Sequence, residues 1–179
     1  MKILLISPTV DSEKRTNKGL MLPQLALYIL KGLTPPEHDV KIIEEEINHI
    51  DLDQECNLVA ISCMTANSPR AYELCKEFRK RGKTVVLGGV HPTILPDEAL
   101  QHANSVVVGE AEEVWETLLK DFQSNNLKRK YHNPIPDLEK YVPKDFSNII
   151  KKRLFKLIPI MTTRGCPYNC DFCCVTNLF

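Results

Sequence analysis

Five short apolar runs constrain this chain more than any other feature: KILLIS (2–7), DVKIIEEE (39–46), LVAISC (58–63), KTVVLGG (83–89) and SVVVGE (105–110). They are near-continuous rather than alternating, the pattern of strands buried on both faces. Helix signals separate most of them. LMLPQLALYILKGL (20–33) carries Pro23 near its start and TPP after it. SPRAYELCKEFRKRG (68–82) offers Ser68 as a cap, Pro69 at the first helical position, an apolar stripe of Ala71, Leu74, Cys75 and Phe78, and Gly82 as a stop. HPTILPDEALQHAN (91–104) holds a turn and a short helix. AEEVWETLLKDFQ (111–123) sets Val114, Trp115, Leu118, Leu119 and Phe122 on one side. Residues 47–57 offer little helix, so the second crossover is the weak point. Strand and helix in repeated alternation predict a parallel five-stranded sheet with helices on both faces, a Rossmann-like α/β fold of the flavodoxin type.

The texture changes after residue 123. Residues 124–153 contain three prolines and little periodicity and read as a linker or arm. LFKLIPIMTTRG (154–165) resumes an apolar run, with LIPIMTT (157–163) as the expected first strand of a second domain. The division is therefore 1–123, 124–153 and 154–179. Formal net charge is zero, and the one basic cluster, KKRLFK (151–156), is too small to argue for nucleic acid. The first fifteen residues lack the long apolar run of a secretory signal, and no stretch approaches the ~20 apolar residues of a membrane helix. The chain reads as cytoplasmic, so its seven cysteines are not expected to be a disulfide framework. Cys56, Cys63 and Cys75 read as small buried hydrophobes, and Trp115 as core.

Loops after the strands are where a parallel sheet places a ligand. The first loop, SPTVDSEKRTNKG, has no G-x-G-x-x-G, which argues against a nicotinamide site. Asp11 there reads as a solvated loop residue. SCMTANSPRAY, LGGVHPTILPDEA and VVVGEAEEVW follow the third, fourth and fifth strands. Gly88 and Gly89 remove side chains where a ligand would come close, and the amides after Gly109 open a helix toward an anion. Tight turns explain the same glycines equally well. His91 reads as a turn histidine with a backbone hydrogen bond; His38, His49, His102 and His132 need no special role.

Four cysteines crowd the last fourteen residues, in the loop after the expected second-domain strand. Cys166-x3-Cys170-x2-Cys173 lets three thiolates converge on one soft metal centre. Three ligands on a four-iron cluster leave one iron open. Cys174, adjacent to Cys173, is expected to pack rather than ligate. A zinc site on all four thiols, or plain thiols, are the alternatives.

RGCPYNCDFC, with Phe172 before the last cysteine, resembles the signature of the radical S-adenosylmethionine enzymes, and TTRGCPYNCDFCCVTNLF resembles their cobalamin-domain branch. The resemblance implies a [4Fe-4S] cluster on Cys166, Cys170 and Cys173, S-adenosylmethionine chelated to the open iron and cleaved reductively, and Phe172 near the adenine. An external one-electron donor such as flavodoxin or ferredoxin would supply the electron. LGGVHPT and VVGEAE resemble the cobalamin-binding domain of that branch. The implied contacts are Ser62, Thr65 and Ala66 after strand three, Gly88, Gly89, Val90 and His91 after strand four, and Gly109 and Glu110 after strand five. The corrin would sit over the strand ends, its nucleotide tail beside the sheet. The first loop lacks the D-x-H-x-x-G of cobalamin domains that give cobalt a histidine.

On this reading the chain is the amino-terminal part of a radical enzyme, inactive alone, ending in the first strand and cluster loop of a truncated barrel. Its reaction would be methyl transfer, cyclisation or rearrangement on an unidentified small molecule or peptide. Two alternatives stay open. One is a radical enzyme whose first domain is an empty scaffold, similar to the methylthiotransferases. The other is a non-enzymatic flavodoxin-like module with a zinc-bearing tail.

Overall fold

A computed structural model describes residues 1–10, 22–133, 158–168 and 170–178. The strands are β1 (Lys2–Ser7), β2 (Asp39–Glu44), β3 (Leu58–Ser62), β4 (Thr84–Gly88), β5 (Ser105–Gly109) and β6 (Lys130–Asn133). All pair in parallel in one sheet of order β2-β1-β3-β4-β5-β6. The helices are α1 (Leu25–Leu33), α2 (Ser68–Lys80), α3 (Val90–Ile94), α4 (Pro96–His102), α5 (Glu112–Gln123) and α6 (Val175–Leu178), with a 3₁₀ turn at Thr65–Asn67.

The apolar runs become strands because successive residues feed opposite faces. Leu4, Ile6, Val59, Ile61, Val85, Leu87 and Val106 pack on one face against Ala71, Leu74, Cys75 and Phe78 of α2 and Ala99 and Leu100 of α4. Ile3, Leu5, Leu58, Ala60, Val86 and Val107 pack on the other against Leu27 of α1 and Trp115, Leu118 and Leu119 of α5. Both faces of the central strands are covered, so β1, β3, β4 and β5 carry no polar alternation. The expected stripe of α2 is buried as a set. Ser68 lies inside that helix, its hydroxyl donating to the Thr65 carbonyl at 3.0 Å, and it does not cap from outside. Pro23 precedes α1, which starts where the Gln24 amide donates to Glu44 Oε1 at 2.8 Å.

Two expectations are corrected. The sheet has six strands, not five. Residues 130–133, within the stretch read as an arm, continue it beside β5. The alternation there is only four residues long, with Tyr131 and Asn133 buried and Lys130 and His132 exposed. And among the described residues no barrel follows. The described residues 158–163 of the expected second-domain strand form no strand, and the sheet is a single continuous layer. The basic cluster 151–156, Asp11 and residues 134–153 of the arm lie outside the described residues, as does residue 157.

Strand order reverses between β1 and β3, and α1 and α5 lie on the same face. The chain leaves β1 toward one edge through α1, and leaves β5 toward the other edge through α5. These two crossovers therefore have opposite hands, although one hand prevails for such units. The result is that α1 and α5 flank the central strands β3 and β4 across one face.

Candidate functional site

A cavity of about 520 Å³ opens at the carboxyl ends of the strands and runs between α1 and α5. Its position follows from the order reversal, where the loops diverge and leave a crevice. The central strands deepen it by carrying small residues on that face. Ala60 pairs across from Val86, and Ser62 from Gly88. A Cβ on Gly88 would meet nothing nearer than Val107 Cβ at 3.8 Å. The site could therefore hold a side chain, and its absence leaves room. At the inner end Leu27 and Leu30 of α1, Trp115 of α5, Ala60 and Val86 make carbon walls. The Trp115 indole N–H donates to Thr34 Oγ1 at 2.9 Å, and that hydroxyl donates to the Leu30 carbonyl at 2.7 Å.

The neighbouring glycines have another cause. Gly89 has φ +99°, and a Cβ there would lie 2.7 Å from the Cys63 carbonyl. Gly109 has φ +82°, and its Cβ would lie 2.4 Å from the Asn133 carbonyl on β6. Backbone crowding demands both.

The mouth is polar and carries an ion-pair cluster. Arg164 meets Glu110 at 2.5 Å and Glu112 at 2.6 Å, all three side chains mostly buried. Burial pushes the Glu110 carboxyl above its ordinary range; Arg164 opposes this and Glu112 adds to it. Met161, Arg164 and Leu178 bring the last described segment onto the cavity.

Of the residues expected at a cofactor site, Ser62, Ala66, Gly88, Gly89, Val90, Gly109 and Glu110 line this one cavity. Thr65 and His91 do not. They belong instead to a half-exposed network centred on the buried His91 side chain. His91 Nε2 is 2.9 Å from the Tyr72 hydroxyl and 3.3 Å from Glu98 Oε1, and its Nδ1 is 3.3 Å from Thr65 Oγ1. The Tyr72 ring stacks on His102 at 3.8 Å. Thus the His91 side chain bonds to side chains; its main-chain N–H donates to the Cys63 carbonyl. Phe172 is 93% exposed. Sequence reasoning missed Leu27, Leu30 and Trp115 as cavity walls, because an apolar helix stripe looks the same whether it faces a packed core or a groove. A second cavity, about 340 Å³, lies at the β2 edge among Lys2, Lys41, Gln54 and Glu55. Its charged ends are engaged with one another, Lys2 with Glu55 and Lys41 with Gln54.

A family model described as a B12 binding domain matches residues 17–119. The chain belongs to the B12-binding domain family. The chain is 45% identical over 161 residues to the bacteriochlorophyllide d C-8(2)-methyltransferase of Chlorobaculum tepidum, a match covering 86% of the chain and 36% of that protein. It is 33% identical over 186 residues to the bacteriochlorophyllide d C-12(1)-methyltransferase of the same organism, covering 99% and 41%. An uncharacterized methyltransferase of Pyrococcus horikoshii is 28% identical over 206 residues, covering 97% and 45%. The chain thus spans less than half the length of these relatives.

These findings correct the cluster expectation. Among the described residues no three His, Cys, Asp or Glu side chains are grouped to hold a metal ion. Cys166, Cys170 and Cys174 are exposed and Cys173 is half-buried. Close spacing puts thiols near one another along a loop, but the backbone rotations between them decide whether they converge. The [4Fe-4S] cluster and the zinc alternative fall together, and with the cluster go reductive cleavage of S-adenosylmethionine and the external electron donor. The assignment to an inactive fragment of a radical enzyme gives way to kinship with proteins named methyltransferases. Among the described residues no helix is long and apolar enough to cross a membrane.

Proposed function

We propose that this chain binds a cobalamin-type corrinoid at the carboxyl edge of its sheet and serves as the cofactor-holding part of a methyltransferase. The observation that carries this is the groove between α1 and α5, opened by small residues on β3 and β4 and lying in a B12-binding domain. Its residues fit the group. The cavity is within the ~300–1,000 Å³ range of small-ligand pockets, enough to take the nucleotide arm while the wider corrin rests on the loops at the mouth. Ser62, Ala66, Gly88, Gly89, Val90, Gly109 and Glu110 would form that rim. Thr65 and His91 would position the β3 and β4 loops. When bound, cobalamin supplies methyl-transfer chemistry; the protein contributes binding, orientation and exclusion of water.

The two Chlorobaculum relatives are named for bacteriochlorophyllide d, so the proposed acceptor is a carbon of a tetrapyrrole of that kind. Residues 1–123, extended by β6, would be the cofactor-holding unit, working in the cytoplasm. Titration of the chain with hydroxocobalamin tests the site, read by the shift of the corrin absorption bands and by equilibrium dialysis. Saturable binding below ~100 µM, lost in Gly88→Leu with the fold intact by circular dichroism, is expected. No binding in that range refutes the proposal.

A further inference from the structure

The corrinoid reading leaves open which corrinoid. Natural corrinoids share the ring and differ in the base on the nucleotide arm: a benzimidazole, a phenol or a purine. We infer that the inner groove selects an apolar aromatic base and disfavours a purine. This inference rests on the proposed corrinoid site.

The argument is one of unsatisfied polar atoms. The inner walls are Ala60, Val86, Leu27, Leu30 and Trp115. The first four side chains are hydrocarbon. The single polar atom on the fifth, Trp115 Nε1, already donates to Thr34. The main-chain groups behind Ala60 and Val86 belong to the β1–β3–β4 ladder. The polar residues of the cavity, among them Ser62, Glu110, Glu112 and Arg164, stand at the strand ends or beyond them, toward the mouth. Dimethylbenzimidazole and cresol would meet such walls with carbon. Adenine brings an exocyclic amino group and extra ring nitrogens, which would lose water without gaining a partner. Dimethylbenzimidazole and adenine are fused bicycles of similar size, so polarity rather than volume separates them. An apolar pocket rejects a polar near-isostere only moderately, by about tenfold to a hundredfold.

The test uses the full chain and four corrinoids: cobinamide, which has the ring and no nucleotide; cobalamin; a cresol-bearing cobamide; and an adenine-bearing cobamide. Binding is measured by equilibrium dialysis and by emission of Trp115, the sole tryptophan, which lines the groove. Cobalamin and the cresol cobamide are expected to bind at least about tenfold tighter than the adenine cobamide. Cobinamide should bind more weakly than cobalamin. In a folded Ala60→Leu protein, whose added side chain fills the inner end, cobalamin should fall to the cobinamide level. An adenine cobamide that binds as tightly as cobalamin overturns the selectivity. Equal binding of cobinamide and cobalamin by the unaltered chain shows that the base does not enter the groove and also overturns it. If no corrinoid binds, the site proposal itself fails. The ligand series needs no variant, so poor folding of Ala60→Leu leaves it decisive.

Discussion

Gly88 and Gly109 stand at the ends of adjacent strands and line the same cavity, yet the structure assigns them different causes, and a pair of alanine substitutions separates them. In Gly109→Ala the new Cβ meets the Asn133 carbonyl at 2.4 Å, at φ +82°. The left-handed backbone costs roughly 1–2 kcal/mol for a residue with a Cβ. Relieving the overlap means moving the end of β6, where Gly109 pairs with Asn133. Each ladder hydrogen bond lost there adds about 1 kcal/mol. The sum is about 3 kcal/mol, or a fall in Tm of roughly 6–12 °C for a chain of this size. In Gly88→Ala the nearest atom is 3.8 Å away and φ is not in the left-handed region. Its cost is small, and the stiffer unfolded chain offsets it by roughly 0.4–1 kcal/mol. Stability should therefore stay within about 0.5 kcal/mol of the parent, while corrinoid affinity falls because the methyl group stands in the groove. Urea unfolding followed by circular dichroism measures both variants. If Gly109→Ala is as stable as Gly88→Ala, β6 does not crowd Gly109 and the six-stranded edge is wrong.

Three further outcomes follow from the ion pairs and thiols. Arg164→Gln strips two mostly buried carboxylates of their partner and should cost about 3 kcal/mol at pH 7. Glu110 already has a raised folded-state pKa, and losing Arg164 raises it further; a raised carboxyl contributes stability at low pH that is lost as pH rises through the folded value. The penalty should therefore shrink as pH drops from 7 into the acid range where the raised carboxyl protonates, and a pH-independent penalty would count against the pairing. Arg70→Ala leaves the buried Glu45 carboxylate with the Thr9 amide and should cost about 2–3 kcal/mol in urea unfolding, with Arg70→Lys intermediate because the two-pronged contact is lost. Burial pushes the Cys63 and Cys75 thiols up to about 12. At pH 8, thiol reagents should label the exposed Cys166, Cys170 and Cys174 in the native chain and reach Cys56, Cys63 and Cys75 only on unfolding, as mass spectrometry can count.

The strand–helix alternation was legible because burial on both faces leaves a composition signature in each strand and an apolar stripe in each helix. KILLIS becomes β1 for that reason, β3 and β4 fall within LVAISC and KTVVLGG, and Ala71, Leu74, Cys75 and Phe78 are buried together on α2. Strand six was not legible: four residues with two inward side chains carry too little pattern, and only pairing with β5 makes them a strand. The crevice residues were legible as loops at one sheet edge, but sequence could not say that His91 turns away into the Tyr72–Glu98 network while Gly88 faces the groove. The cysteine spacing misled because contour distance along a loop does not fix where thiols point. The layered α/β sheet is written into the residue pattern, since hydrophobic periodicity is a local property of each segment. Which residues share a cavity, and why Trp115 is a groove wall as well as core, was decided by strand order and by α1 and α5 meeting on one face, contacts between segments far apart in the chain.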